Sequence, residues 1–432
     1  MKSKSNLLLR NLICAYIFFA SWTDSFSLGK RFPLHIVILG AIVVVFIKAF
    51  LKGQKIPCRA YKPEDFFVIL CFGGVCLSGL LNLNGKTVNY VLAYFSVFII
   101  GYLLLKGIVY QNINWHTLLK INTIALVFTG LFTTSEFLIE FLTGFDIQTL
   151  IPRDNPARAT YLLRFPRAYG FSDEPTILAF YFNTLGSIGL WKLWHWNSIG
   201  RVFYRYWLKI SLTLIVIFAW FSTFSAAGFV FLPCSLILAN CLKKRHKFSI
   251  TISPRLIFLV VLSIVIVTIL FSIVSLNIFQ SREIINEYTD PLLTKVTLQD
   301  DKHVNIRVTA WITSLDNIRR SLVFGIGVGH QSDSGLNSSF NWYLFLMLEG
   351  GLISFLPIAV FLCISFLRIA MSNVQGKLWF MTGFLAGAMH LLVIATFYHP
   401  FLWILLILFS TCNEQKKIYE KTASQVDCNC GQ

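Results

Sequence analysis

Four arginines and no lysine stand between Gly144 and Glu174: Arg153, Arg158, Arg164 and Arg167. A guanidinium is a planar fork that binds phosphate or carboxylate through two parallel hydrogen bonds, which an ammonium cannot do. The four either hold an anionic ligand or pair with Asp146, Asp154, Asp173 and Glu174 or with lipid headgroups. Arg164 and Arg167 are the stronger ligand candidates. A second polar segment carries Arg307 and, one turn on, Trp311. It continues into Phe324-Gly-Ile-Gly-Val-Gly-His330, whose glycines either let backbone approach a ligand or simply form a tight connection. Glu174 and His330 are the candidate proton acceptors, with His303 and His399 behind them. Neither segment contains His-x-x-x-His or an Asp-x-Asp cluster, so neither a catalytic metal nor any other cofactor is expected. Glu349, followed by Gly350-Gly351, is an ionisable group inside an apolar run and needs a partner or a wet cavity. Glu136 and Glu140 lie one turn apart, where they could face the arginines.

The rest of the chain must hold these residues, and its composition says how. Of the 432 residues 56% are hydrophobic and 13% charged, against roughly 45–50% and about 25% in soluble domains. The apolar residues gather in runs near the length of about 17–25 residues that crosses a bilayer. Twelve such runs are predicted, at 7–23, 33–51, 66–82, 88–109, 118–142, 175–195, 207–223, 225–242, 256–276, 341–367, 378–395 and 397–412. The first resembles a signal peptide but lacks a small-residue cleavage site, so it reads as an uncleaved helix. The expected class is an all-α membrane protein divided as 1–143 (helices one to five), 144–174 (a first outer loop), 175–276 (helices six to nine), 277–340 (a second outer loop), 341–412 (helices ten to twelve) and 413–432 (an inner tail).

Lys and Arg set the expected orientation. Clusters such as Lys243-Lys-Arg245 and Lys416-Lys417 fall on one side, and with both termini inside that side holds most of the 37 basic residues. Anionic lipid then accounts for the net charge of +17 without nucleic acid. None of the ten cysteines falls in an outer segment, so no disulfide framework is expected there. Within the second segment, Trp311, Leu315, Ile318 and Leu322 recur at helical spacing, as in an amphipathic helix lying on a membrane surface.

Several of these pieces, taken in order, resemble a known family. Arg167-Ala-Tyr-Gly170-Phe-Ser-Asp-Glu-Pro175 is similar to the R-x-x-G-x-x-x-x-P segment of O-antigen polymerases (Wzy) and O-antigen ligases. Phe221-Ser-Thr-Phe-Ser225-Ala-Ala-Gly228 stands where the family often has Thr-x-Ser-Arg-Gly. Arg307-x-x-x-Trp311, Gly325-x-Gly-x-Gly329, Asn341-Trp-Tyr343-Leu and Glu349-Gly-Gly follow in the family's order. Two departures stand out: Phe340 replaces a frequent histidine, and Ala226 replaces the arginine after the serine.

The resemblance implies a GT-C-like glycosyltransferase of the bacterial inner membrane with its site facing the periplasm. Its donor and acceptor would be glycans on undecaprenyl diphosphate, joined into O-antigen or capsule polysaccharide, with a chain-length regulator and a flippase as neighbours in the membrane. Arg167 and Arg307 would be catalytic, and Gly170, Trp311, Asn341 and Tyr343 would bind substrate; the residues themselves add Glu174 and His330 as catalytic candidates and Arg164 as a further substrate ligand. A ligase that moves a finished glycan to lipid A core is the first alternative. A flippase is the second, although such transporters normally show similar halves and short loops, and this sequence shows neither.

Overall fold

A computed structural model describes residues 4–23, 25–26, 33–53, 60–152, 161–162, 165–196, 202–244, 301–333, 340–396 and 398–429. The chain is helical, and the strands among the described residues, β1 (Tyr161–Leu162) and β2 (Phe165–Pro166), form one short hairpin in the register Tyr161↔Pro166, Leu162↔Phe165. The helices are α1 (Lys4–Phe18), α2 (Leu34–Leu51), α3 (Asp65–Leu81), α4 (Thr87–Asn112), α5 (Trp115–Thr143), α6 (175–194), α7 (Val202–Ser222), α8 (Ala226–Lys244), α9 (Asp301–Arg320), α10 (His330–Asp333), α11 (Trp342–Met371), α12 (Lys377–His390) and α13 (Phe401–Asn429). Helices α4 and α6 each contain a π turn, at Phe95–Leu104 and Phe182–Gly186.

The protein is a multi-pass membrane protein, but the twelve-span reading is not met. Among the described residues five helices are long and apolar enough to cross a bilayer: α2, α4, α5, α8 and α11. Three shorter apolar helices accompany them, at Leu7–Ser21, Asp65–Leu81 and Tyr206–Ser222. The GT-C-like arrangement of twelve spans with both termini inside falls with that count. An apolar run reports burial, and it does not say whether lipid or protein does the burying. Residues 401–409 of α13 are buried on every side, and so are 177–189 of α6, so these runs are protein core. Helix α12 has 14 residues, about 21 Å at 1.5 Å per residue, short of the roughly 30 Å hydrocarbon thickness. The predicted run at 256–276 lies outside the described residues.

One end of the bundle is tied by charge. The ammonium of Lys106 donates to both oxygens of Asp65, at 2.8 and 2.6 Å, and Tyr102 donates to the same carboxylate at 2.8 Å. Arg368 pairs with Glu64, and Lys62 with Glu414 at 2.9 Å. Buried charges persist where partners of opposite sign and hydrogen bonds replace water.

The other end gathers the connections of interest, and a glycine turn organises part of it. Helix α11 breaks at Gly351 (φ 65°, ψ −173°). Residues 322–327 run alongside the break and take up its hydrogen bonds. Ile326 donates to Leu348 O at 2.9 Å and Leu352 donates to Leu322 O at 3.0 Å. A Cβ at Gly351 would lie 2.2 Å from Val323 O, and one at Gly325 2.4 Å from Glu349 O. The turn's remaining carbonyls receive Asn84 Nδ2 (3.0 Å) and Thr87 Oγ1 (3.1 Å) at Val328. Of the two uses open to these glycines, the structure shows the tight connection: their bare faces meet other backbone.

Gly351→Ala therefore combines an unfavourable φ with a backbone collision, a loss on the order of 3 kcal/mol. Gly40→Ala, in mid-helix with nothing within 4 Å, serves as the matched control. Thermal unfolding in detergent should show a lower midpoint for the first and none for the second; a native midpoint for Gly351→Ala would refute the clamp.

Candidate functional site

The first polar segment wraps around one carboxylate. Helix α5 ends at Gly144 in the left-handed conformation, and two turns earlier Glu136 is fully buried. Its Oε2 accepts from the Gly170 amide at 2.8 Å and its Oε1 from the Tyr169 amide at 3.2 Å. Gln148 also donates to Oε1, and to Gly170 O at 2.9 Å. Gly170 has φ 56°, and a Cβ there would lie 2.8 Å from Thr133 Oγ1, so the tight wrap requires glycine. Glu136 thus faces backbone amides and the Gln148 side chain; Arg153, Arg158 and Arg164, which the sequence suggested it could face, lie outside the described residues.

The segment then docks on its neighbours. Toward α1, Phe171 stacks on Trp22 at 4.1 Å, and toward α5 it stacks on Phe132 at 4.0 Å. Thr23 donates to Asp173 at 2.5 Å, and Ser25 donates to Phe171 O at 2.8 Å. Toward the turn between α7 and α8, the Ala168 amide donates to Ser222 O at 2.9 Å and Arg167 Nε donates to Thr223 O at 3.3 Å. Arg167 is half-buried. Burial pulls its guanidinium below the ordinary range, and the nearby Glu174 carboxylate pulls it back. Glu174 is exposed at the start of α6, ahead of Pro175 at the first helical position. Arg167, Gly170 and Glu174 therefore share one small region. Arg153, Arg158 and Arg164 lie outside the described residues.

The second polar segment is described from 301 onward. Its expected amphipathic helix is α9, but the faces differ from the expected stripe. Ile318 turns inward with Ala310 and Ser314, while Leu315 and Leu322 remain exposed and Trp311 is 36% exposed. Arg307 lies on this helix; its side chain is not among the described residues. His303 is in the same position. His330 is exposed at the start of α10, its amide donating to Gly327 O at 3.2 Å.

Two candidates have structural employment. Asn341 caps α11, its Oδ1 accepting from the amides of Tyr343 (2.9 Å) and Leu344 (3.1 Å). The Tyr343 hydroxyl donates to Ala388 O at 3.0 Å. Phe340, in place of the family's histidine, has φ 50°, an uncommon setting for a residue with a Cβ. Glu349 is fully buried, and the amides of Gly329 and Gln331 are directed at it without reaching hydrogen-bond geometry. His399 is buried near Asp173, behind the first segment. Among the described residues no group of three or more His, Cys, Asp or Glu is placed to hold a metal ion.

Residues 211–359 match the family described as O-Antigen ligase, Wzy_C. The match covers about a third of the chain. The match starts within α7 and ends within α11. It takes in the 221–228 turn that receives Arg167, the helix bearing Arg307, the glycine turn and Glu349. The first polar segment lies ahead of it and reaches the matched region through Ala168 and Arg167. A search of curated proteins finds no match to the chain.

Sequence reasoning singled out Arg167, Gly170 and Glu174 but missed Gln148 and the carbonyls of Ser222 and Thr223. Backbone acceptors leave no trace in residue type. Glu136→Ala removes the acceptor from two buried amides, a cost of about 1–3 kcal/mol each when no other partner is found. Hydrogen exchange should accelerate in 167–173 while the ion-paired end at 62–68 keeps native protection. Unchanged exchange in 167–173 would show that Glu136 does not hold the segment.

Proposed function

We propose that this Wzy_C-family protein is a glycosyltransferase that polymerises oligosaccharide repeat units carried on undecaprenyl diphosphate, at the periplasmic face of the inner membrane. The observation that carries the reading is Arg167, partly desolvated and fixed on a carbonyl of the Wzy_C domain. A sugar hydroxyl of one lipid-linked unit attacks the anomeric carbon of the other. The bond from that carbon to the phosphate oxygen breaks, undecaprenyl diphosphate leaves, and the hydroxyl proton passes to a carboxylate or imidazole. Negative charge grows on the departing diphosphate, and a preorganised guanidinium in a partly dry site stabilises it more than water would. Arg167 and Arg307, with Arg164, fill that role. Glu174, close to Arg167, takes the proton, and His330 is the other candidate. Trp311 offers an exposed ring face for a sugar. A chain-length regulator and a flippase would be its membrane neighbours.

The description of the matched family, O-Antigen ligase, favours a second reading, transfer of a finished glycan to lipid A core. A deletion strain separates them: loss of a polymerase leaves single repeat units on the acceptor, and loss of a ligase leaves none.

Arg167→Ala and Arg307→Ala are each expected to lower transfer by about 10²–10³-fold, abolishing long chains while the protein still reaches the membrane. Arg167→Lys should fail as well, because an ammonium lacks the bidentate fork. A normal ladder of glycan lengths from Arg167→Ala would remove that residue from the mechanism.

A further inference from the structure

Behind the turn that receives Arg167 lies a buried polar node. Asn183 is fully buried within the π turn of α6. Its Oδ1 accepts from Trp220 Nε1 at 2.8 Å, on the last turns of α7. Its Nδ2 donates to Gly228 O at 3.1 Å, on the first turn of α8, and to His390 Nε2 at 2.9 Å, at the end of α12. The indole N–H fixes the orientation of the amide, because only the oxygen can accept from it. His390 is then held with its proton on Nδ1, stacked on Phe180 at 5.2 Å. Three helices thus converge on one side chain from a fourth.

Trp220 and Gly228 bracket residues 221–227, and this turn presents Ser222 O and Thr223 O to the first segment. It is strained and tightly packed. Phe224 has φ 43°, and a Cβ at Gly228 would lie 2.8 Å from Ala179 Cβ. A turn with an unfavourable φ keeps its shape only when its surroundings over-determine it. Asn183 supplies that determination on both flanks. A regular helix would direct residue 183 differently; the inserted residue of a π turn re-aims side chains, and such turns concentrate at functional sites.

The geometry points to Asn183 as a positioning residue for Arg167, acting through Trp220, Gly228 and the 222–223 carbonyls. The inference rests on the reading of Arg167 as a diphosphate ligand. It extends that reading to a residue buried beneath the site.

Full-length protein in detergent, with farnesyl diphosphate as the probe, supplies the test through affinity and thermal midpoint together. Trp220→Phe keeps the ring contacts with Phe221 and Phe229 and removes only the donor to Asn183. It is expected to weaken probe binding roughly threefold to tenfold, on the scale of about 1.4 kcal/mol per tenfold, with a near-native midpoint. In an Arg167→Ala background it should weaken binding no further, because residues acting through one another are not additive. Asn183→Leu should act in the same direction more strongly; if it does not fold, Trp220→Phe carries the test. Unchanged affinity in Trp220→Phe, or additive losses with Arg167→Ala, would overturn the positioning role and leave the Arg167 reading standing. Native protein whose probe binding does not depend on Arg167 would overturn both.

Discussion

A buried carboxylate at the end of a long helix must be satisfied, and here backbone amides satisfy it. Glu136 takes the N–H groups of Tyr169 and Gly170, and that requirement gives the first polar segment a defined shape. Arg167 is then delivered three residues ahead of Gly170, at the distance where its Nε meets Thr223 O. Ring stacking on Trp22 and Phe132, the polar contacts of Thr23 and Ser25, and the bonds of Ala168 and Arg167 to the 222–223 carbonyls hold the rest of the segment. A buried negative charge thus shapes the segment that carries Arg167.

The second organised region follows the same logic with different chemistry. Glycines at 325 and 351 let two pieces of backbone approach within a distance that any Cβ would block. Helix α11 surrenders its own hydrogen bonds at the break and recovers them from 322–327. A break of this kind inside a membrane protein is tolerated only where protein covers the freed groups. The cost of the kink is offset locally, and the end of the turn carries His330 outward. At the opposite end the bundle is closed by ion pairs around Asp65 and Glu64, so the two ends differ in kind.

The sequence made the helical class, the basic first segment and the order of the family's motifs legible. It also marked Arg167, Gly170 and Glu174 as neighbours, because they are neighbours in the chain. It overcounted the membrane crossings in part because runs such as 401–409 and 177–189 are enclosed by other helices. Hydrophobicity is a statement about water, and the choice between lipid and protein depends on partners distant in sequence. Asn341 and Tyr343 suit sugars as amide and phenol groups; that they also cap a helix and bond the Ala388 carbonyl is visible only in the fold. Asn183 was invisible for the opposite reason. It sits in an apolar run, and its value comes from Trp220, Gly228 and His390, which only the fold brings together.

The central claim is that the end of the molecule bearing Arg167 binds the diphosphate of a lipid-linked glycan. A structure of the full chain in nanodiscs with such a substrate tests it most directly. The account predicts both phosphates between the first segment and the 221–228 turn, with at least one phosphate oxygen within about 3 Å of the Arg167 guanidinium. Phosphates found instead at the ion-paired end beside Arg368 and Lys106, or away from Arg167 altogether, would contradict it.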